Sequence, residues 1–96
     1  DIIILEIKNL TVIADYFVIC SADTTIQAKA IADYIVEVLE KNSINLKRME
    51  GYLFGQWILI DYVDVIVHIF EKEKRKFYQL EKLWIDAPEV EFEVDE

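Results

Sequence analysis

Short apolar runs separated by polar stretches set the outline of this chain. Ile2 to Ile7 opens with four consecutive apolar residues, which predicts a strand buried on both faces, as at the centre of an α/β sheet. Asn9 to Ala14 reads as a short connection. Tyr16 to Cys20 is aromatic and β-branched and predicts a second strand. The period then changes. Thr24 with Gln27 has the spacing of a capping box, and Asp23 adds negative charge where a helix dipole favours it. A helix is predicted from Thr25 to Asn42. On it Ala28, Ile31, Ala32, Ile35, Val38 and Leu39 share one face. Lys29, Asp33, Glu37 and Lys41 share the other, with Glu37 and Lys41 as an i,i+4 pair.

Ile44 to Glu50 is a weaker strand signal, and Gly51 and Gly55 bracket a turn. Gln56 to Asp61 and Val65 to Phe70 are strong strands, and Asp61-Tyr62-Val63-Asp64 is short enough to join them as an antiparallel hairpin. Glu71 to Lys76 is a charge run that reads as a solvated helix start. Phe77, Leu80 and Trp84 follow at i, i+3 and i+7 with Leu83 beside them, predicting one apolar stripe on a short helix. Pro88 ends regular structure. The expectation is an α/β fold: a single domain over residues 1–88, with a mixed sheet of about five strands flanked by helices. An acidic tail follows over 89–96, where Val90, Phe92 and Val94 alternate with acids. That alternation could add an edge strand, but an acidic terminus without turn signals is more often disordered.

Charge narrows the function classes. The net charge is −9, which argues against direct nucleic-acid binding and against an anionic membrane surface. A basic protein partner suits it, and so does the plainer reading that the acidity serves solubility. No apolar run approaches the ~20 residues of a membrane span. Cys20, the one cysteine, lies in an apolar run and reads as a small core residue. One Cys and one His cannot build an ordinary structural zinc site, and no cofactor is expected. A basic, Ser-rich presequence is also lacking, which favours the bacterial cytosol over an organelle.

Catalytic chemistry is hard to find. Neither glycine follows a strand and opens a helix, as a phosphate loop would require. His68 alternates with Ile66 and Phe70 on one strand face, against Val65, Val67 and Ile69 on the other, and reads as structural. Asp61 and Asp64 at the hairpin, with Asp15 before the second strand, give a faint outline of a Mg²⁺ site, and Ser21 could meet a phosphate. Together these would make a minimal nucleotidyltransferase. Turn-forming Asp and a capping Ser explain the same residues without chemistry. Aromatics give a stronger hint. Phe77, Tyr78 and Trp84 sit on a short charged segment, and two readings are open from pattern alone: leftover aromatic surface ringed by acids, which suits an interface, or a helix that docks fully and shows only Tyr78.

Several segments, taken in order, resemble the ribosomal silencing factor family, also called the Iojap or YbeB family. They are Ala14-Asp15-Tyr16-Phe17-Val18-Ile19 with Ser21, Lys29-Ala30-Ile31-Ala32-Asp33, Glu50-Gly51, and Trp57-Ile58-Leu59-Ile60-Asp61-Tyr62. Next come Asp64-Val65-Ile66-Val67-His68-Ile69-Phe70 and Phe77-Tyr78-Gln79-Leu80-Glu81-Lys82-Leu83-Trp84 with Asp86-Ala87-Pro88. Each is weak alone, and the ordered set is specific. The resemblance implies a sheet flanked by helices, related to a nucleotidyltransferase core without its catalytic residues. It implies a non-enzymatic protein that binds a basic ribosomal protein on the intersubunit face of the large subunit, blocks subunit joining and represses translation. Organelle relatives in ribosome assembly and homodimers are also expected from it. Three features depart from the family. Val63 stands where a Gly is usual between the hairpin acids. A positive φ there would strain a β-branched residue, which points to a different turn type. Cys20-Ser21-Ala22 replaces the usual small residues, and the usual helix before the first strand is missing, which bears on the dimer contact.

Carried onto this chain, the resemblance places the partner surface along the hairpin end and the C-terminal helix: Tyr62, Asp64, His68, Tyr78, Leu80, Glu81, Leu83 and Trp84. Leu80, Tyr78 and Trp84 are expected at its desolvated centre. Asp64 and Glu81 are expected to face basic groups of the partner.

Overall fold

The computed structural model describes residues 2–92. Five strands form one mixed sheet in the order β1-β2-β5-β4-β3: β1 Ile3–Glu6, β2 Tyr16–Ala22, β3 Arg48–Glu50, β4 Trp57–Asp61 and β5 Val65–Glu71. Only β2 and β5 run parallel; the other pairs are antiparallel. The long helix α1, Thr25–Lys41, follows β2, while α2, Lys72–Tyr78, and α3, Leu80–Leu83, follow β5.

The central place belongs to β5. Its positions Ile66 to Phe70 are all buried, because both its neighbours are strands and both its faces are covered. The expected alternation holds. Ile66 and Phe70 join a core with Leu5, Ile7, Phe17, Ile19 and Leu80 on one face. Val67 and Ile69 join Cys20, Ala28, Ala32, Ile58 and Ile60 on the α1 face. Ala28 and Ala32 are fully buried; their small side chains let the helix axis sit close to the sheet. Val38, expected on the buried face of α1, is exposed, and Val36 packs against the core instead. The start of α1 is as predicted: Thr24 Oγ1 accepts from the Gln27 N–H at 3.0 Å, and Gln27 Oε1 accepts from the Asp23 N–H.

Three expectations need correction. First, β1 is an edge strand rather than a central one. Its outer edge is covered by the chain after Pro88: the Glu6 N–H donates to the Pro88 carbonyl and the Val90 N–H to the Ile4 carbonyl, with a bridge between Leu5 and Glu89. This pairing satisfies backbone groups that an open edge would leave to another chain. The start of the predicted tail therefore pairs with β1, and residues 93–96 of it lie outside the described residues. Second, β3 is only three residues, Arg48–Glu50. Third, the C-terminal helix is two helices. Gln79 adopts the left-handed conformation, φ 48°, which breaks the helical period between Phe77 and Leu80. The predicted stripe thereby divides: Phe77 is exposed and Leu80 is buried.

Gly51 has φ +79°, and a Cβ there would fall 2.1 Å from the Trp57 carbonyl oxygen. No other residue fits where the β3–β4 connection crosses the start of β4 so closely.

Candidate partner-binding surface

The sheet face opposite α1 is rich in rings. Trp57 at the start of β4 stacks on Phe70 with centroids 4.8 Å apart and meets Tyr78 at 4.8 Å. Phe17 stands edge-on to His68 at 4.7 Å and to Trp84 at 5.4 Å. These contacts follow from register, since Leu59 pairs with His68 and Trp57 with Phe70. Helices α2 and α3 then lie over this face and bring Tyr78 and Trp84 down onto it.

His68 is 4% exposed, and its Nδ1 accepts from the Trp57 Nε1–H at 3.1 Å. Because Trp donates only, the neutral ring must carry its proton on Nε2. That nitrogen is buried without a hydrogen-bond partner among the described residues. Burial lowers the His68 pKa to about 4. The ring is therefore neutral near pH 7 and forms part of the core, as the alternation suggested.

The residues predicted to meet a partner are divided by the fold. His68 and Leu80 are interior and cannot contact another molecule without local opening; the cause is the covering of this face by α2 and α3. Trp84 is half-buried against the same core. Tyr62 packs on the α1 face, away from the ring cluster, because successive strand side chains alternate. Its hydroxyl is buried without a hydrogen-bond partner among the described residues, and burial, with Glu40 second, raises its pKa. Glu81 is turned inward, with Oε1 3.5 Å from Arg75 Nε. Asp64 is exposed. Tyr78 is 43% exposed and Leu83 74% exposed.

Two strongly exposed apolar residues absent from the predicted set lie on the same segment: Phe77 at 77% and Ile85 at 79% exposure. The aromatic excess on a charged segment pointed toward Phe77, but the assumed single stripe put it on the buried side. Leu53 and Phe54, in the β3–β4 connection, are also exposed, and no sequence pattern marked them.

The hairpin turn joins β4 to β5 tightly. Val63 has φ 76°, and the Asp64 N–H donates to the Tyr62 carbonyl at 3.0 Å, closing a three-residue γ-turn. Positive φ is thus kept here despite the β-branched side chain, contrary to the expected change of turn type. Asp61 compensates. It is buried, and its Oδ1 accepts from the Val63 N–H at 2.7 Å while Oδ2 lies 3.4 Å from Arg48 Nε.

These commitments bear on the Mg²⁺ outline. Asp64 immediately precedes Val65, which pairs with Tyr16, whereas Ser21 pairs with Phe70 at the far end of the same strands. At ~3.3 Å per residue the two lie roughly 20 Å apart along the sheet. Asp61, Asp64 and Ser21 therefore do not converge on one site. No group of three or more His, Cys, Asp or Glu among the described residues is placed to hold a metal ion. No helix among them is long and apolar enough to cross a membrane.

The fold and sequence have relatives. A protein from Halalkalibacterium halodurans named ribosomal silencing factor is 46% identical over 97% of this chain and 80% of its own length. Its counterpart from Bacillus subtilis is 44% identical over 92% of this chain and 75% of its own length. A mouse protein named mitochondrial assembly of ribosomal large subunit protein 1 is 31% identical over 88% of this chain and 38% of its own length. A crystal structure from Bacillus halodurans superposes with TM-score 0.83 at 40% identity, covering 96% of this chain and 83% of that one. One from Chromobacterium violaceum gives TM-score 0.86 at 30% identity, covering 99% and 78%. Residues 1–96 match the family described as ribosomal silencing factor during starvation, and the chain belongs to that family.

Proposed function

We propose that this protein represses translation by binding a basic protein on the intersubunit face of the large ribosomal subunit and blocking subunit joining. The observation that carries this reading is the number of exposed large apolar side chains over residues 77–85. Phe77, Leu83 and Ile85 are more than 70% exposed, and Tyr78 is half-exposed beside them. Large apolar side chains left in water on a domain of net charge −9 favour a protein partner with an apolar centre and a basic rim. The relatives' names, ribosomal silencing factor and assembly of the ribosomal large subunit, support the same partner class.

On this reading Tyr78 and Leu83, from the original set, are the anchors, and Phe77 and Ile85 join them. Trp84 shapes the surface from below by packing on Phe17. Asp64 supplies negative charge at the hairpin end. Leu80 and His68 hold the segment in place from the core. A homodimer and a cytosolic site of action are further parts of the proposal.

Co-sedimentation with isolated large subunits, small subunits and joined ribosomes tests it. Enrichment on free large subunits, lost in Leu83→Ala and Tyr78→Ala while circular dichroism stays unchanged, is the expected result. Equal recovery with all particles, or none with any, removes the proposal.

A further inference from the structure

At the opposite end of the sheet from the hairpin, α2 and α3 line an open surface cavity of about 410 Å³ against the end of β2. Four of its lining residues are cations, Lys72, Arg75, Lys76 and Lys82, and among the described residues the one carboxylate in the lining is Glu81. Ser21 and Gln79 complete the lining. The whole chain has ten Lys and Arg against nineteen Asp and Glu. Gathering four of the ten around one cavity inverts the sign of the charge that dominates the rest of the molecule.

The cluster is also ordered. Arg75 donates from NH1 to Ser21 Oγ at 2.7 Å, a contact between residues 54 apart in sequence, and its Nε lies 3.5 Å from Glu81. Its side chain is only 13% exposed, so the guanidinium is held rather than swinging in water. Lys76 has an exposed contact to Glu73 at 3.9 Å, which contributes little. Among the described residues, Lys72 and Lys82 have no carboxylate partner. Holding these two lysines beside other cations is unfavourable, and a bound anion reduces that repulsion.

We propose that this cavity binds the phosphate or diphosphate group of a small molecule. Its volume lies at the lower end of the ~300–1,000 Å³ of small-molecule sites. A terminal phosphate carries about −1.5 to −2 at pH 7, close in magnitude to the charge of Lys72 and Lys82, and a diphosphate also reaches Lys76, whose exposed contact to Glu73 is weak. Arg75, already held by Ser21 and Glu81, adds fixed positive charge at the wall, and Lys72 and Lys82 act as mobile point charges for phosphate oxygens. The Ser21 hydroxyl and the Gln79 amide are neutral hydrogen-bonding groups at the same wall. A long polyanion such as RNA would extend beyond the cavity onto acidic surface, whereas a compact anion would not. The proposal does not depend on the ribosomal reading, and it uses neither Asp61 nor Asp64.

The test is titration of the full chain with pyrophosphate, followed by ¹⁵N–¹H spectra and isothermal calorimetry at fixed ionic strength. Sulfate at matched ionic strength is the control. The expected result is saturable shifts at the Ser21, Arg75 and Gln79 amides with pyrophosphate, weaker with sulfate. Lys72→Gln/Lys82→Gln, at exposed positions, should keep the spectrum and melting temperature of the free protein and weaken binding by about tenfold or more. Arms with a nucleoside diphosphate and with a sugar phosphate then tell which molecule carries the group. Equal, unsaturable shifts with every anion, or a double variant that binds like the wild type, overturn the proposal. Tighter binding of single-stranded RNA than of pyrophosphate, with the same amides shifted, overturns the small-molecule assignment.

Discussion

Val63 is the residue whose local geometry and chemical identity most clearly disagree. A β-branched side chain at φ 76° stores strain of order 1–3 kcal/mol, held in place by the Asp61 carboxylate and by the two strands that the turn connects. Val63→Gly removes the strain and makes the unfolded chain less ordered by about 0.5–1 kcal/mol. The first effect outweighs the second, so the variant should be more stable by roughly 0.5–1 kcal/mol in urea denaturation. A loss of stability would mean that the valine side chain contributes packing that outweighs the strain. His68 gives a second test. Its unfolded pKa is near 6.5 and its folded pKa is about 4. Between these values the unfolded chain binds more protons, so stability falls as pH drops from 6.5 toward 4. Protonation of Nδ1 would also remove the acceptor of the Trp57 N–H. The full effect is about 3 kcal/mol. His68→Gln should show a shallower loss of stability between pH 6.5 and 4.5 than the wild type. An unchanged slope would place the acid sensitivity in the carboxylates.

The C-terminal element carries two different jobs within a few residues. Leu80 is buried beneath it, so Leu80→Ala should cost about 2–4 kcal/mol of stability through lost contacts and a cavity. Leu83, three residues on, is exposed, and Leu83→Ala should change stability by less than about 0.5 kcal/mol. The same variant should weaken large-subunit binding by about 1–2 kcal/mol. Chemical denaturation and co-sedimentation of the pair separate core from surface. If Leu83→Ala unfolds and Leu80→Ala does not, the placement of the segment on the sheet is wrong. Trp84 stands between the two cases because it is half-buried against Phe17, and its replacement should affect both readouts. The division exists because Gln79 leaves the helical conformation. An unbroken helix would have put Phe77 and Leu80 on one side.

For the whole molecule the governing quantity is charge and how it is distributed. Nineteen acids against ten bases give a field that attracts basic partners at long range. Its reach is about 8–10 Å at physiological salt. Association with large subunits should therefore slow markedly as ionic strength rises, with a smaller change in dissociation. Stopped-flow or surface-binding kinetics at two salt concentrations check this. An association rate that is flat with salt would leave only the exposed apolar side chains of residues 77–85 to drive recognition. The cation-lined cavity is a local exception within this field, at the end of the sheet opposite the hairpin.

Much of this protein is legible in its sequence because side-chain periodicity reports directly on local geometry. The alternation around His68 assigned both faces of β5, and Thr24 with Gln27 marked the start of α1. The ordered motifs identified the family. What periodicity cannot report is which elements become neighbours. Four apolar residues at the start of the chain look equally fit for a central or an edge strand, and only the pairing of Glu6 and Ile4 with residues 88–90 shows that β1 is an edge sheltered by the chain's own C-terminal segment. Leu80 and Leu83 are both apolar residues of one short segment, and their burial is decided by how that segment crosses the sheet. Likewise, Ser21 and Arg75 meet only because β2 and β5 lie side by side. Backbone and side-chain preferences are set within a few residues, whereas burial, edge protection and the clustering of charge are set by contacts between parts of the chain distant in sequence.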